Sequence, residues 1–361
     1  MNMTKKSAFL KYPVKPFIVR PRLSAPEILE QMENISFQGR NLGVAHRVWR
    51  RMLADDVLIF LGVAGALSAG GLRMIIAHLI TQRAVDCVVS TGANLYHDLH
   101  ETLGKHHYIG SHNSDDSVLQ EHHIDRVYDT YMDEDEFIEN DNWIAKFTTT
   151  LESRPYSTRE YLYKLGGHLW KESQADGILT AAFRSRVPIF CPGIADSSLG
   201  MGLSQARMID RSKGQIDVIE DVSESANMVI RNPRTASIVL GGGTPKNFIN
   251  QASVQAAFYC PNIPGHQYAL QIITDVPHFG GASGSSLAEA QSWGKLATDA
   301  DHVTVHADAT LALPLLASGI ASGAPDQLAN RTAPVFDLAS RALVVDGVML
   351  PISKYDTSTT E

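Results

Sequence analysis

The chain has 361 residues, 44% hydrophobic and 19% charged, enough apolar matter to bury a sizeable core and too much for a disordered polymer. A net charge of −8 leaves no basic stripe to neutralise phosphates, which argues against a nucleic-acid-binding protein and suits a cationic ligand or simple solubility. Cys87, Cys191 and Cys260 are too few and too scattered for a disulfide framework or a CxxC metal site, so a reducing cytoplasm is the simplest setting.

In chain order, Met1-Asn2-Met3-Thr4-Lys5-Lys6 is followed by Pro13 and Pro16 instead of an apolar run, and no secretory signal is expected. Residues 1–50 read as an arm with one short helix, opened by the capping box Ser24-Ala25-Pro26-Glu27. Residues 51–350 read as a single α/β domain. Apolar runs at 57–63, 86–91, 187–191, 237–240, 268–274 and 302–307 alternate with segments long enough for helices. Runs that are apolar nearly throughout predict a Rossmann-like open parallel sheet with helices on both faces. Residues 57–72 are uncharged but carry Gly62, Gly65, Gly70 and Gly71 and fall short of the ~20 residues that span a bilayer, so they predict a buried strand and a Gly-rich turn. Between 104 and 143 the chain turns polar. His106, His107, His112, His122 and His123 lack the HxxxH spacing of a helical metal site, and a solvated excursion is the expectation. The polar tail, 351–361, is expected to fray.

Several runs end in small or polar residues: Ser90-Thr91-Gly92-Ala93-Asn94, Asp196-Ser197-Ser198-Leu199-Gly200, Gly241-Gly242-Gly243 and Ala307-Asp308-Ala309. At the carboxyl ends of parallel strands such residues border the ligand crevice, although each alone is equally an ordinary turn and the GxGxxG fingerprint is absent. Lys295 stands two residues after Trp293 and behind Glu289. An amine in apolar, aromatic company can lose its proton and act as a nucleophile, whereas most lysines are solvated. Glu289 and Trp293, four apart, share a helix face, but Ser286-Leu287-Ala288-Glu289 is also a capping-box pattern.

The run Glu289-Ala290-Gln291-Ser292-Trp293-Gly294-Lys295 closely resembles the lysine segment of deoxyhypusine synthases, and the resemblance extends over residues 57–316. It implies an NAD-dependent transferase with the deoxyhypusine synthase-like fold, a homotetramer with shared active sites. A 4-aminobutyl group leaves spermidine, rests on Lys295 as an imine and passes to an amine acceptor. By position, Thr91, Gly92, Asp196, Gly242, Gly243, Ser283, Asp308 and Ala309 would hold NAD, with Ser198 beside cofactor and substrate. Glu289, Trp293, Asn247 and Gly281 would line the polyamine site.

The chain also departs from the family. Asn247 replaces an imidazole, Met201 replaces an aspartate, and Phe279-Gly280-Gly281-Ala282-Ser283-Gly284 lacks both aspartates of the corresponding stretch. His97 replaces a glutamate and could supply the lost base or be structural. The absent carboxylates favour a small diamine as acceptor, giving homospermidine. A lysine of a translation factor is the alternative acceptor, and an inactive NAD- or polyamine-binding oligomer is the reading of another class.

Overall fold

The structure is a computed structural model and describes residues 9–209, 214–281 and 285–349. Its centre is a six-stranded sheet: β1 (Leu58–Val63), β2 (Cys87–Ser90), β3 (Ile189–Phe190), β4 (Thr235–Leu240), β5 (His266–Ile273) and β6 (Leu296–His306). The strands lie in the order β6-β5-β4-β1-β2-β3, and every pairing is parallel. Read from the other edge this is the 3-2-1-4-5-6 order of the doubly wound dinucleotide fold. β1 and β4 are buried along their whole length, which is why they read as unbroken apolar runs. All six expected runs are strands, but β6 begins six residues earlier than its apolar run. Thr298, Asp299 and Asp301 make its first half polar, and the pairing with β5 shifts register between His266 and Tyr268.

Residues 1–50 differ from expectation. The described part holds α1 (Ala25–Met32) and the start of α2 (Phe37–Ala54), where one short helix was expected. Both halves of the Ser24–Glu27 capping box form. The arginines of α2 conceal a buried stripe of Leu42, Ala45, Val48, Trp49, Met52 and Leu53 at helical spacing. Gly43 sits inside that helix because a Cβ there would come within 2.3 Å of the Glu33 amide nitrogen.

After β1 the Gly-rich stretch forms a π-helical turn, Ser68–Leu72, with Gly71 left-handed at φ 83°. Helices α3 (Arg73–Thr81) and α4 (Gly92–Thr102) follow on either side of β2. The polar excursion is a small antiparallel sheet of Tyr108–Ile109, Ile124–Val127 and Thr130–Asp133 with a short helix, Asp116–Glu121. It returns through α5 (Glu134–Thr149), capped by the Asp133 side chain. Then come α6 (Thr158–Ser173), α7 (Ile178–Ser185), α8 (Ser198–Ile209), α9 (Val218–Arg231), α10 (Gly243–Tyr259), α11 (Leu287–Ser292) and α12 (Ala309–Gly323).

Arg159 on α6 and Glu224 on α9 form a fully buried ion pair, and Arg159 also donates to the carbonyls of Leu338 and Ser340 at 3.2 Å. A buried charge is tolerated only when matched in this way. Among the described residues no helix is long and apolar enough to cross a membrane. The tail, 351–361, lies outside the described residues.

Candidate functional site

Connections leave β1 and β4 toward opposite edges of the sheet, so their carboxyl ends enclose the switch point where such folds bind ligands. There Gly241 and Gly243 adopt left-handed backbone at φ 81° and 60°, and a Cβ on Gly241 would lie 3.0 Å from Ala64 Cβ. Gly242 caps α10. On the β2 side, Thr91 caps α4. Its hydroxyl donates to the Gly65 carbonyl at 2.7 Å and accepts from Asn94 Nδ2 at 2.9 Å. Asn94 Oδ1 in turn accepts from the Ser68 amide at 3.1 Å. Thr91 therefore braces the loop after β1. Gly92 is needed because a Cβ would fall 2.1 Å from Ser197 Oγ. That contact brings the loop with exposed Asp196 and the first residue of α8, Ser198, against the start of α4.

Two helix N-termini, those of α4 and α10, thus flank the crevice with amides suited to a pyrophosphate. Small residues between them allow close approach, and these features fit a dinucleotide.

His97 lies on α4, nearly buried. Its Nδ1 is 2.9 Å from His107 Nε2, and His107 Nδ1 is 2.7 Å from Glu101 Oε1. Burial of Glu101 opposes ionisation, but the His107 hydrogen bond and the Arg73 charge outweigh it and hold the carboxyl below its ordinary range. The carboxylate then fixes the His107 proton on Nδ1. His107 Nε2 accepts from His97 Nδ1–H, and His97 Nε2 is left as the basic atom. Burial, followed by His107 and His100, pushes His97 down to about 4, so its imidazole is neutral at pH 7.

A second group surrounds Lys295, which joins α11 to β6. Its Nζ is 3.5 Å from Asn247 Oδ1 on α10 and 5.7 Å from the centre of the Trp293 ring. Ser286 Oγ accepts from the Glu289 amide at 3.1 Å, the hydroxyl half of the capping box. The Glu289 carboxylate is exposed and close enough to Lys246 to raise that lysine's basicity. Trp293 is 65% exposed.

At the carboxyl ends of β5 and β6, Gly281 lies against the Asp275 carboxylate, and Asp308 caps α12 by accepting from the Thr310 amide and hydroxyl, each at 2.7 Å. Ala309 opens α12. Ser283 lies outside the described residues.

The chain does not gather all these residues at one point. Lys295 precedes β6 and its carbonyl accepts from the His266 amide at 3.0 Å, whereas Asp308 follows β6. β6 pairs with β5 from Leu296 against His266 to His306 against Ile273, so its two ends stand roughly 23 Å apart. Lys295, Asn247, Trp293 and Glu289 form one cluster. Thr91 and Gly92 at the start of α4 form another with the 196–198 loop, and His97 lies further along α4. Sequence reasoning missed Glu101, one helical turn from His97 on α4, and His107, which the turn after α4 brings to both. It also missed Lys246, buried in the first turn of α10, and Asp141, whose carboxyl is raised by burial. Only the cluster of histidines after Gly104 hinted at His107.

These features define an open α/β protein whose crevice fits a dinucleotide, with a lysine beside an aromatic ring. The deoxyhypusine synthase family profile matches residues 27–320, and the chain belongs to that family. It is 43% identical over 332 residues to the Methanosarcina mazei protein named Probable deoxyhypusine synthase 2, covering 91% of this chain and 95% of that one. With the deoxyhypusine synthase-like protein of Coxiella burnetii it shares 39% over 303 residues, 82% of this chain and 86% of the other. The crystal structure of an Entamoeba histolytica protein classed with the deoxyhypusine synthases superposes with a TM-score of 0.59 at 17% identity, covering 85% and 96% of the two chains, which speaks for the shared fold. The family comprises NAD-dependent aminobutyl transferases.

Proposed function

We propose that this protein moves a 4-aminobutyl group from spermidine, through an imine on Lys295, to a small diamine such as putrescine, producing homospermidine. The observation that carries the reading is the placement of the Lys295 amine beside the Trp293 ring and the Asn247 amide, with Glu289 on the adjoining helix. NAD, when bound, would take up a hydride from the carbon beside the secondary amine and later return it, so the net reaction is a transfer.

The chain's own groups supply the rest. Thr91, Gly92, Asp196, Gly242, Gly243, Asp308 and Ala309 would hold the dinucleotide, mostly through amides and capping carboxylates. Ser198 and Gly281 would border the substrate. His97 Nε2 would accept the proton released as the hydride leaves, and His107 and Glu101 would stabilise the resulting imidazolium. Neutral Lys295 would add to the substrate's imine carbon and expel diaminopropane. Trp293 would cover the methylenes while Glu289 holds the distant ammonium. The acceptor amine would then displace the Lys295 amine from the imine carbon, forming the new C–N bond and freeing Lys295.

Two half-sites on one chain fit a homotetramer in which Lys295 of one copy faces the crevice of another. Exposure of Trp293 and, at 95%, of Phe279 supports such cover by a second copy. Asn247 at Lys295, in place of an imidazole, and the exposed Met201 on α8, in place of a carboxylate, favour a free diamine over a protein lysine. The test is direct competition: pure protein, NAD and spermidine with both putrescine and a lysine-bearing translation factor, read by mass spectrometry. Homospermidine is expected. Labelled factor with no homospermidine would restore deoxyhypusine formation, and no product of either kind would leave a silent binding oligomer.

A further inference from the structure

Lys295 stands where α11 turns into β6, and its main chain is held on both sides. Gly294 adopts left-handed backbone at φ 67° and donates its amide to the Gln291 carbonyl at 3.0 Å, while the Lys295 amide donates to the Ala290 carbonyl at 3.0 Å. This is the paired bonding of a Schellman turn, which fixes the direction in which a chain leaves a helix. On the other side the Lys295 carbonyl accepts from the His266 amide at 3.0 Å, where His266 of β5 pairs with Leu296 of β6. His266 is itself anchored, fully buried and with its ring Nδ1 2.7 Å from Thr235 Oγ1 on β4. Beneath the lysine lies Gly265. A Cβ there would come within 2.6 Å of the Lys295 carbonyl carbon and of the Leu296 nitrogen and carbonyl carbon. Those are main-chain atoms, which cannot rotate aside as the end of a side chain can. Beyond Leu296 the register with β5 shifts, and the Gln291 side chain ties that stretch back to α11 by donating to the Ala297 and Thr298 carbonyls at 3.1 and 3.4 Å.

We propose that Gly265, remote in sequence from the Glu289 to Lys295 run, is a positioning residue for Lys295: its bare backbone lets the lysine's main chain settle onto the His266 amide, and this seat sets where the amine reaches. The proposal rests on the reading of Lys295 as the imine-forming residue. A side chain at 265 fits only if Lys295 is lifted from 2.6 Å to the ordinary contact distance of 3.4 Å or more, a shift of about 0.8 Å. A misplacement of about 1 Å costs roughly 100-fold where two groups must meet in a reactive geometry. The loss falls on one step. Hydride transfer from spermidine to NAD precedes the attack of Lys295 and does not use its amine. With the amine displaced, water adds to the imine carbon instead. Spermidine, oxidised NAD and water then give diaminopropane, 4-aminobutanal, NADH and a proton, and the aminobutyl group never reaches an acceptor. Uncoupling, NADH without transfer, is therefore the signature of a misplaced lysine, whereas a general loosening of the fold lowers both alike.

The experiment compares full-length wild type and Gly265→Ala with NAD, spermidine and putrescine, following NADH by absorbance and homospermidine by mass spectrometry, with thermal melting in parallel. Gly265→Ala should lower homospermidine roughly 100-fold. The rate at which NADH first forms should stay close to that of the wild type, and NADH should then accumulate. Gly294→Ala is the second variant. Open space surrounds that position, so packing is untouched, but the left-handed turn that delivers Lys295 is strained. It should uncouple the two products in the same direction, and it carries the test if Gly265→Ala fails to fold. A third measurement uses no ligand: hydrogen exchange read by mass spectrometry should show the His266 amide, bound to the Lys295 carbonyl in the wild type, exchanging faster in Gly265→Ala. NADH formation and transfer falling together would overturn the proposal. So would wild-type transfer with unchanged exchange. If the wild type itself transfers no aminobutyl group and borohydride traps nothing on Lys295, the functional reading fails, and the exchange of the His266 amide alone then decides whether Gly265 seats this segment.

Discussion

Replacing Glu101 by Gln probes the chain of hydrogen bonds behind His97. In the wild-type protein Glu101 Oε1 lies 2.7 Å from His107 Nδ1, and His107 Nε2 lies 2.9 Å from His97 Nδ1. Glutamine keeps the shape and an acceptor oxygen but loses the charge. A hydrogen bond to a charged group contributes about 1.5–3 kcal/mol, against about 1 kcal/mol for a neutral one, so the change removes roughly 1–2 kcal/mol of support for a protonated His97. If His97 takes up the proton in the rate-determining step, the rate falls roughly 5- to 30-fold. Arg73, which also pairs with Glu101 at 3.6 Å, stays anchored by Asp98 at 3.1 Å, Thr102 at 2.7 Å and the Asp176 carbonyl at 2.8 Å, so collapse of the fold is not expected. The assay is single-turnover reduction of the nicotinamide by spermidine between pH 6 and 9, with thermal melting in parallel. A wild-type rate across that range, within twofold, would refute the relay.

Lys295→Ala should abolish transfer and leave NAD affinity intact. Borohydride with spermidine present should mark Lys295 in the wild type, and an adduct on another lysine would remove it from its role. Asp308→Ala deletes the α12 cap, expected to lower stability by about 1 kcal/mol, and should weaken NAD binding by roughly 1–3 kcal/mol. Lowered melting with unchanged calorimetric affinity would make Asp308 a cap alone. The third expectation concerns acid. Burial lowers His97, His100 and His266 to about 4 from 6.5, so the unfolded chain binds more protons than the folded one between those values. Stability is therefore full above pH 6.5 and is lost as pH falls toward 4, with fully buried His266 alone contributing about 3 kcal/mol. Urea titrations at pH 7.5 and 4.5 with equal midpoints would contradict this.

The sequence determined the sheet, because strands buried on both faces must be apolar throughout, and β1 and β4 announce themselves in that way. It also marked the segment from Glu289 to Lys295, where a compact run of residue types carries the family likeness without help from the rest of the chain. It hid α2, whose arginines and glycines mask a stripe visible only at helical spacing. Contacts between distant residues were decided by tertiary structure alone. Asn247 meets Lys295 across 48 positions, and Lys246 is driven into the interior by the packing of α10. Opposite ends of β6 hold Lys295 and Asp308 apart, although thirteen positions in sequence suggest neighbours. The reason is physical: local pattern encodes burial and periodicity, whereas the distance between two side chains depends on how separate elements pack, and no short stretch of sequence contains that.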